Sequence, residues 1–157
     1  NVIIGKNTRI FNGTYIEGPV VIGNDCKIGP NCYIRPFTSI GNCCHIGNAC
    51  EIKNSIVFDR SNIPHQNYVG DSIIGENCNM GAGTKVANLR LDKKNIFVSL
   101  NGKKIDTKRR KLGVMMGDNV QTGINSMLNI GSIIGNNCYI GPGALTSGEY
   151  TTGSRVE

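Results

Sequence analysis

Ile22-Gly23-Asn24-Asp25-Cys26-Lys27-Ile28-Gly29-Pro30-Asn31-Cys32-Tyr33-Ile34-Arg35-Pro36-Phe37-Thr38-Ser39-Ile40 decides the fold. Isoleucine returns at every sixth position, and Cys26, Cys32 and Thr38 each stand four places after one. The spacing extends in both directions: Ile4, Ile10, Ile16, Ile22, Ile28, Ile34, Ile40, Ile46, Ile52 and Phe58 are six apart. It resumes at Ile74, Met80 and Val86, and again at Met116, Thr122, Leu128, Ile134 and Ile140. Six fits neither the 3.6-residue period of a helix nor the two-residue alternation of a half-buried strand.

A short strand followed by a tight turn does fit. The aliphatic residue points inward, the next residue (often glycine) allows close turning, and the small residue points inward again. Three units close a triangular coil of 18 residues, and coils stack as parallel strands about 4.8 Å apart. Ile4, Ile22, Ile40 and Phe58 are expected in one internal ladder, with Ile10, Ile28 and Ile46 in a second. This is the hexapeptide class of β-helix, an all-β parallel solenoid. Known proteins with this repeat are left-handed, so a left-handed parallel β-helix is the expected fold for residues 1–157.

Six of the seven cysteines, Cys26, Cys32, Cys44, Cys50, Cys78 and Cys138, occupy the small inward slot. Thr8, Thr14, Thr84, Ser126 and Ala144 fill it elsewhere, so cysteine serves here as a small hydrophobe and is expected reduced. Only Cys43 lies outside the pattern, and no pair has zinc-finger spacing.

Charge is uneven. The chain has 17 Lys plus Arg and 11 Asp plus Glu, a formal net charge of +6. Ten of those cations lie between Lys85 and Lys111, with only Asp92 and Asp106 among them. The excess therefore belongs to one segment, and with no RNA- or DNA-binding motif beside it, nucleic acid is not the expected partner. No apolar run reaches the ~18 residues of a membrane span, and no signal-peptide pattern opens the sequence, so a cytoplasmic location is expected. Asn1 begins inside a patterned segment, which suggests a piece of a longer chain.

The repeat is interrupted twice, and interruptions do not follow from the packing rule. The first, about Phe58 to Val69, contains Pro64-His65-Gln66-Asn67-Tyr68. The second, residues 89–112, holds the basic cluster. There Ile96, Val98 and Leu100 alternate, Asn101-Gly102 reads as a type I′ turn, and Lys103 to Thr107 returns, a β-hairpin arm expected to project from the coil. Of two histidines, His45 follows inward Cys44 and should face solvent, whereas His65 sits on the first interruption.

His65-Gln66-Asn67-Tyr68-Val69-Gly70-Asp71-Ser72, followed by Asn79-Met80-Gly81-Ala82-Gly83-Thr84 and Ala87-Asn88, resembles the acetyltransferase domain of bifunctional sugar-1-phosphate enzymes. These are glucosamine-1-phosphate N-acetyltransferases fused to nucleotidylyltransferases. The similarity runs over nearly the whole chain. The arm, with Asp92-Lys93-Lys94 and Arg109-Arg110-Lys111-Leu112-Gly113, is most similar to archaeal members, which also act on galactosamine-1-phosphate.

The resemblance implies roles. His65 matches the general base, and a neutral imidazole can take the proton an aminosugar ammonium must lose. Arg35 and Lys53 match the pair holding the sugar phosphate. Each follows an inward isoleucine and they are 18 residues apart, so they should stack side by side. Tyr68 and Asn79 match sugar contacts. Asn88 matches an asparagine at the acetyl-CoA thioester, an oxyanion donor by its chemistry, with Leu89 beside it. Ala82, Ile124 and Pro142 fall where pantetheine runs, and Lys94 and Arg155 where basic residues meet CoA. The family further implies a homotrimer with its site between subunits. It also implies a missing N-terminal nucleotidylyltransferase domain, to which any Mg²⁺ would belong; no metal is expected in this one.

Rival readings are weaker. A γ-type carbonic anhydrase needs three histidine ligands, and an ice-binding coil needs ranked outer threonines. The serious alternative is a non-catalytic trimerisation or regulatory domain of a nucleotidylyltransferase. A third reading is transfer to another amine or hydroxyl.

Overall fold

The computed structural model describes residues 1–157, which form short strands and turns without a helix. The strands assemble into three parallel sheets, the faces of a triangular prism. The first face runs from Val2–Ile4 to Glu149–Tyr150 in eight strands, and the second from Arg9–Ile10 to Arg155–Val156 in eight. The third has seven, from Tyr15–Ile16 to Leu145–Thr146. Each strand pairs with the one a coil earlier and a coil later, so inward residues form ladders such as Ile34, Ile52 and Val69. These rungs are buried in one continuous core.

Six cysteines point inward as expected, while Cys43 is exposed. Their thiols also meet carbonyls of the next coil: Cys32 Sγ donates to Gly47 O at 2.8 Å. Burial pushes the Cys32 thiol up to about 11, which suits an inert structural group. Ile4 and Ile10 join their ladders by pairing with Ile22 and Ile28, and both are exposed.

Four expectations change. Phe58 is not in the first ladder: Val57 pairs with Ile40 and is buried, and Phe58 is exposed. The unit is one residue short, since Ser55 takes the small slot three places after Ile52 and donates to Lys53 O at 2.8 Å. The same shortening recurs between Val69 and Ile74, where Ser72 is buried. The first interruption is therefore no projecting loop. Strands Asn62–His65 and Tyr68–Gly70 continue the second and third faces through it. His45, expected in solvent, is half-buried on the second face beside Lys27 and Asn62.

The arm leaves the coil between Val86 and Met116. Phe97–Leu100 pairs antiparallel with Lys103–Asp106, and both Asn101 (φ 51°) and Gly102 (φ 72°) have the positive φ of a type I′ turn. It does not project freely, however. Ile96 and Val98 are buried where a Cβ on Gly131 would lie 3.1 and 3.0 Å from them, and Asn101 N donates to Glu149 at 2.8 Å. The alternating apolar edge of the hairpin folds back onto the late coils.

Candidate active site

The site is framed by two corners of the prism. At the corner between the second and third faces, each coil places one residue with positive φ: Gln66, Gly83, Asn125 and Gly143. The residue before each stands in a column, His65, Ala82, Ile124 and Pro142. Its stacking is fixed by Gly83 N donating to His65 O at 2.9 Å, Asn125 N to Ala82 O at 2.8 Å, and Gly143 N to Ile124 O at 2.9 Å. Three coil steps at ~4.8 Å make a track of about 14 Å. His65, Ile124 and Pro142 are exposed along it, and the imidazole has no hydrogen-bond partner within the chain. The next residue of the chain is tied down: Lys85 Nζ donates to the Gln66 carbonyl.

Strand Tyr68–Gly70 crosses the third face from this corner to the next, where a polar network converges on Asp71. Lys53 Nζ lies 2.9 and 3.1 Å from its two carboxylate oxygens, Asn54 Nδ2 donates at 2.7 Å, and Asn88 Nδ2 donates to Oδ2. Asn88 also donates to the Tyr68 hydroxyl at 3.1 Å. The Asp71 side chain is only 6% exposed. Burial disfavours its charge, but the hydrogen bonds from Asn54, Lys53 and Asn88 outweigh that and hold the carboxyl below its ordinary value. Gly70 leaves the room: a Cβ there would sit 2.6 Å from both Asn88 Nδ2 and the Tyr68 hydroxyl. The Tyr-x-Gly-Asp motif thus has a steric reason as well as a chemical one.

Arg35 and Lys53 stand on neighbouring coils of the third face, through the pairing of Ile34 with Ile52. They do not share one free anion site in this chain, because each already has a carboxylate. Arg35 Nη1 is 2.8 Å from Glu51 Oε1 and its guanidinium lies 5.4 Å from the Tyr33 ring centroid. The hydrogen bond that Arg35 donates to Glu51, reinforced by the carboxylate's charge, raises the Arg35 pKa further. Asn79 lies apart, on the second face between Asn62 and Gln121. Arg155 shares that outer column three strands on, stacked 5.0 Å from the Tyr139 ring. Leu89 pairs with Lys111 at the base of the arm, and Lys94 is exposed with its backbone N–H capped by Asp92 at 3.2 Å.

The structure therefore brings Lys53, Tyr68 and Asn88 together and aligns His65 with Ala82, Ile124 and Pro142. Asn79, Lys94 and Arg155 stay separate within one chain. Asp71 and Glu51, the partners of the two cations, were not assigned from sequence. Asp71 stood inside the quoted motif, but nothing local showed that residues 17 and 18 positions away would bond to it.

The chain is 52% identical over 93 residues to the bifunctional protein GlmU of Methanocaldococcus jannaschii, covering 59% of this chain and 22% of that protein. It is 47% identical over 146 residues to a bifunctional sugar-1-phosphate nucleotidylyltransferase/acetyltransferase of Sulfurisphaera tokodaii, covering 93% of this chain and 36% of the relative. The chain thus spans about a third or less of those relatives. A hexapeptide transferase family protein of Anaplasma phagocytophilum shares the fold at TM-score 0.55 and 16% identity, over 94% of this chain and 80% of that one. With Tyr33, Lys53, His65, Tyr68, Asp71, Asn88 and Thr122 all inside the matched stretch, residues 16–122 fit the model of the GMPPB C-terminal domain, and the chain belongs to that family.

Proposed function

We propose that the chain is the acetyl-CoA-dependent N-acetyltransferase part of a bifunctional enzyme, and that its acceptor is a hexosamine-1-phosphate. The observation that carries this is the column of His65, Ala82, Ile124 and Pro142 along one edge of the face that bears Lys53, Tyr68 and Asn88 at the other. The column is about 14 Å long, the scale of an extended pantetheine arm, with a base at one end. Acetyl-CoA supplies an activated thioester.

His65 removes a proton from the acceptor ammonium, freeing the nitrogen lone pair to attack the thioester carbon. The C–N bond forms, the C–S bond breaks, and the nitrogen's second proton passes to the leaving thiolate, giving the amide and free CoA thiol. Asn88 has both amide N–H groups committed to Asp71 and Tyr68, so it donates to the developing oxyanion by exchanging one of those bonds and otherwise offers its carbonyl oxygen to the sugar. Lys53 and Arg35 meet the acceptor phosphate by exchanging part of their pairing with Asp71 and Glu51. Asn79, Lys94 and Arg155, remote within one chain, take part where a second copy completes the site. Exposed apolar side chains of the first face, Ile3 and Val21 among them, support such self-association as a homotrimer. A cytoplasmic location and an N-terminal nucleotidylyltransferase domain complete the reading.

The test is thiol release from acetyl-CoA with glucosamine-1-phosphate, galactosamine-1-phosphate and free glucosamine. Release with either phosphate, and much less with free glucosamine, is expected. No release with any acceptor would leave the non-catalytic trimerisation or regulatory domain. Equal rates with free glucosamine would remove the phosphate role of Arg35 and Lys53.

A further inference from the structure

Where the arm returns to the coil, it roofs a cavity of about 530 Å³ lined by Asn54, Asp71, Leu89, Lys93, Arg109, Arg110 and Lys111. Four of the seven are cations, and none of the four has a carboxylate partner; the chain's ion pairs are Arg35–Glu51, Lys53–Asp71, Arg60–Glu76 and Arg90–Asp92. The one acid in the wall, Asp71, is already neutralised by Lys53. Their placement is built in by backbone: Arg109 O accepts from Ile96 N at 2.8 Å, Leu89 bridges Lys111, and Arg110 Nε donates to Lys93 O at 3.1 Å. Four like-charged residues lining one hollow give it a positive potential, which attracts an anion.

We propose that this cavity binds a diphosphate group carried on an organic ligand. Two guanidinium forks and two ammonium groups offer more donors than one phosphoryl group has oxygens, and two linked phosphoryl groups can each take a fork. The organic part has a place too. A second hollow of about 470 Å³ shares Asn54, Asp71, Arg109 and Lys111 and continues over Ile73, Val98, Leu112 and Met115 under the arm. Both nucleoside diphosphates and CoA have this chemistry, a pyrophosphate joined to a largely uncharged moiety. The cavity lies at a different corner from the His65 column, so it is not the same chain's thiol track. The inference does not rest on acetyl transfer.

Titration calorimetry at about 0.15 M ionic strength, where surface charges are screened, tests it with phosphate, pyrophosphate, UDP and CoA. Pyrophosphate should bind at least tenfold more tightly than phosphate. Arg109→Gln/Arg110→Gln should weaken pyrophosphate tenfold or more. Lys103→Gln/Lys104→Gln, an equal charge loss at the hairpin tip outside the cavity, should leave it within twofold. Arg109→Lys keeps the charge, loses the fork, and should still weaken binding several-fold without unfolding the arm. UDP tighter than CoA and sensitive to the arginines assigns the ligand to nucleoside diphosphates; the reverse assigns it to CoA. Equal binding of phosphate and pyrophosphate, equal losses in the two double variants, or no binding to wild type overturns the proposal.

Discussion

Asp71 is the test of how the site is held. Its carboxylate is 6% exposed and Lys53 is 17% exposed, at 2.9 Å. Removing one partner of a buried ion pair costs about 3–5 kcal/mol. Because Lys53 keeps some water, Asp71→Asn should cost about 3 kcal/mol, or about 6–12 °C in melting temperature for a chain of this size. Lys53→Met should cost less, since Asn54 and Asn88 still donate to the carboxylate that remains. The double variant should be more stable than the sum of the singles implies, by about 1–3 kcal/mol. Chemical denaturation at one fixed protein concentration and pH 7 measures all three. Acid should act through the same group. The folded-state pKa of Asp71 lies below its ordinary value of about 3.9. Its contribution is therefore complete above about pH 4 and lost as pH falls through the folded value, and Asp71→Asn should lack that part of the acid limb. A cost within about 0.5 kcal/mol of zero, or a cycle additive to that margin, would refute the network as an energetic unit.

Two further outcomes follow from packing. A Cβ on Gly81 would meet Gly123 C and O at 2.4 Å, so Gly81→Ala should cost about 1–3 kcal/mol, whereas Gly143→Ala, with no atom within 4 Å, pays only for its φ of +69°, about 1 kcal/mol. Thermal melts of the two variants compare them directly. Cys43 is exposed and the other six cysteines are buried, so a thiol reagent under native conditions should label one equivalent rapidly and seven after denaturation. Rapid native labelling of two or more would show the coil interior open.

The ladders were legible because one residue type returns at one interval, and the arm because Asn101-Gly102 sits between alternating apolar residues. The one-residue shortening was not. Ile56, Val57 and Phe58 are all apolar, so a six-residue step from Ile52 selects Phe58 and a five-residue step selects Val57. Ser55 settles it, since its hydroxyl donates to Lys53 O and accepts from Ser72 N at 3.1 Å, the second a contact that exists only once coils stack. The docking of the arm depended in the same way on Gly131, more than thirty residues from Val98. His65 was placed on a break and proved to be part of a regular corner. That strengthens its alignment with Ala82, Ile124 and Pro142, since the column is set by the repeat and not by a loose loop. Asp71 was hidden because its partners come from two other coils.

The central claim is that His65 heads the acyl track as a general base. Steady-state kinetics of His65→Gln with acetyl-CoA and glucosamine-1-phosphate test it most directly. The kcat should fall by about 10²–10⁴, with the KM for acetyl-CoA within about threefold, because Ala82, Ile124 and Pro142 still form the track. A variant that acetylates at the wild-type rate would contradict it.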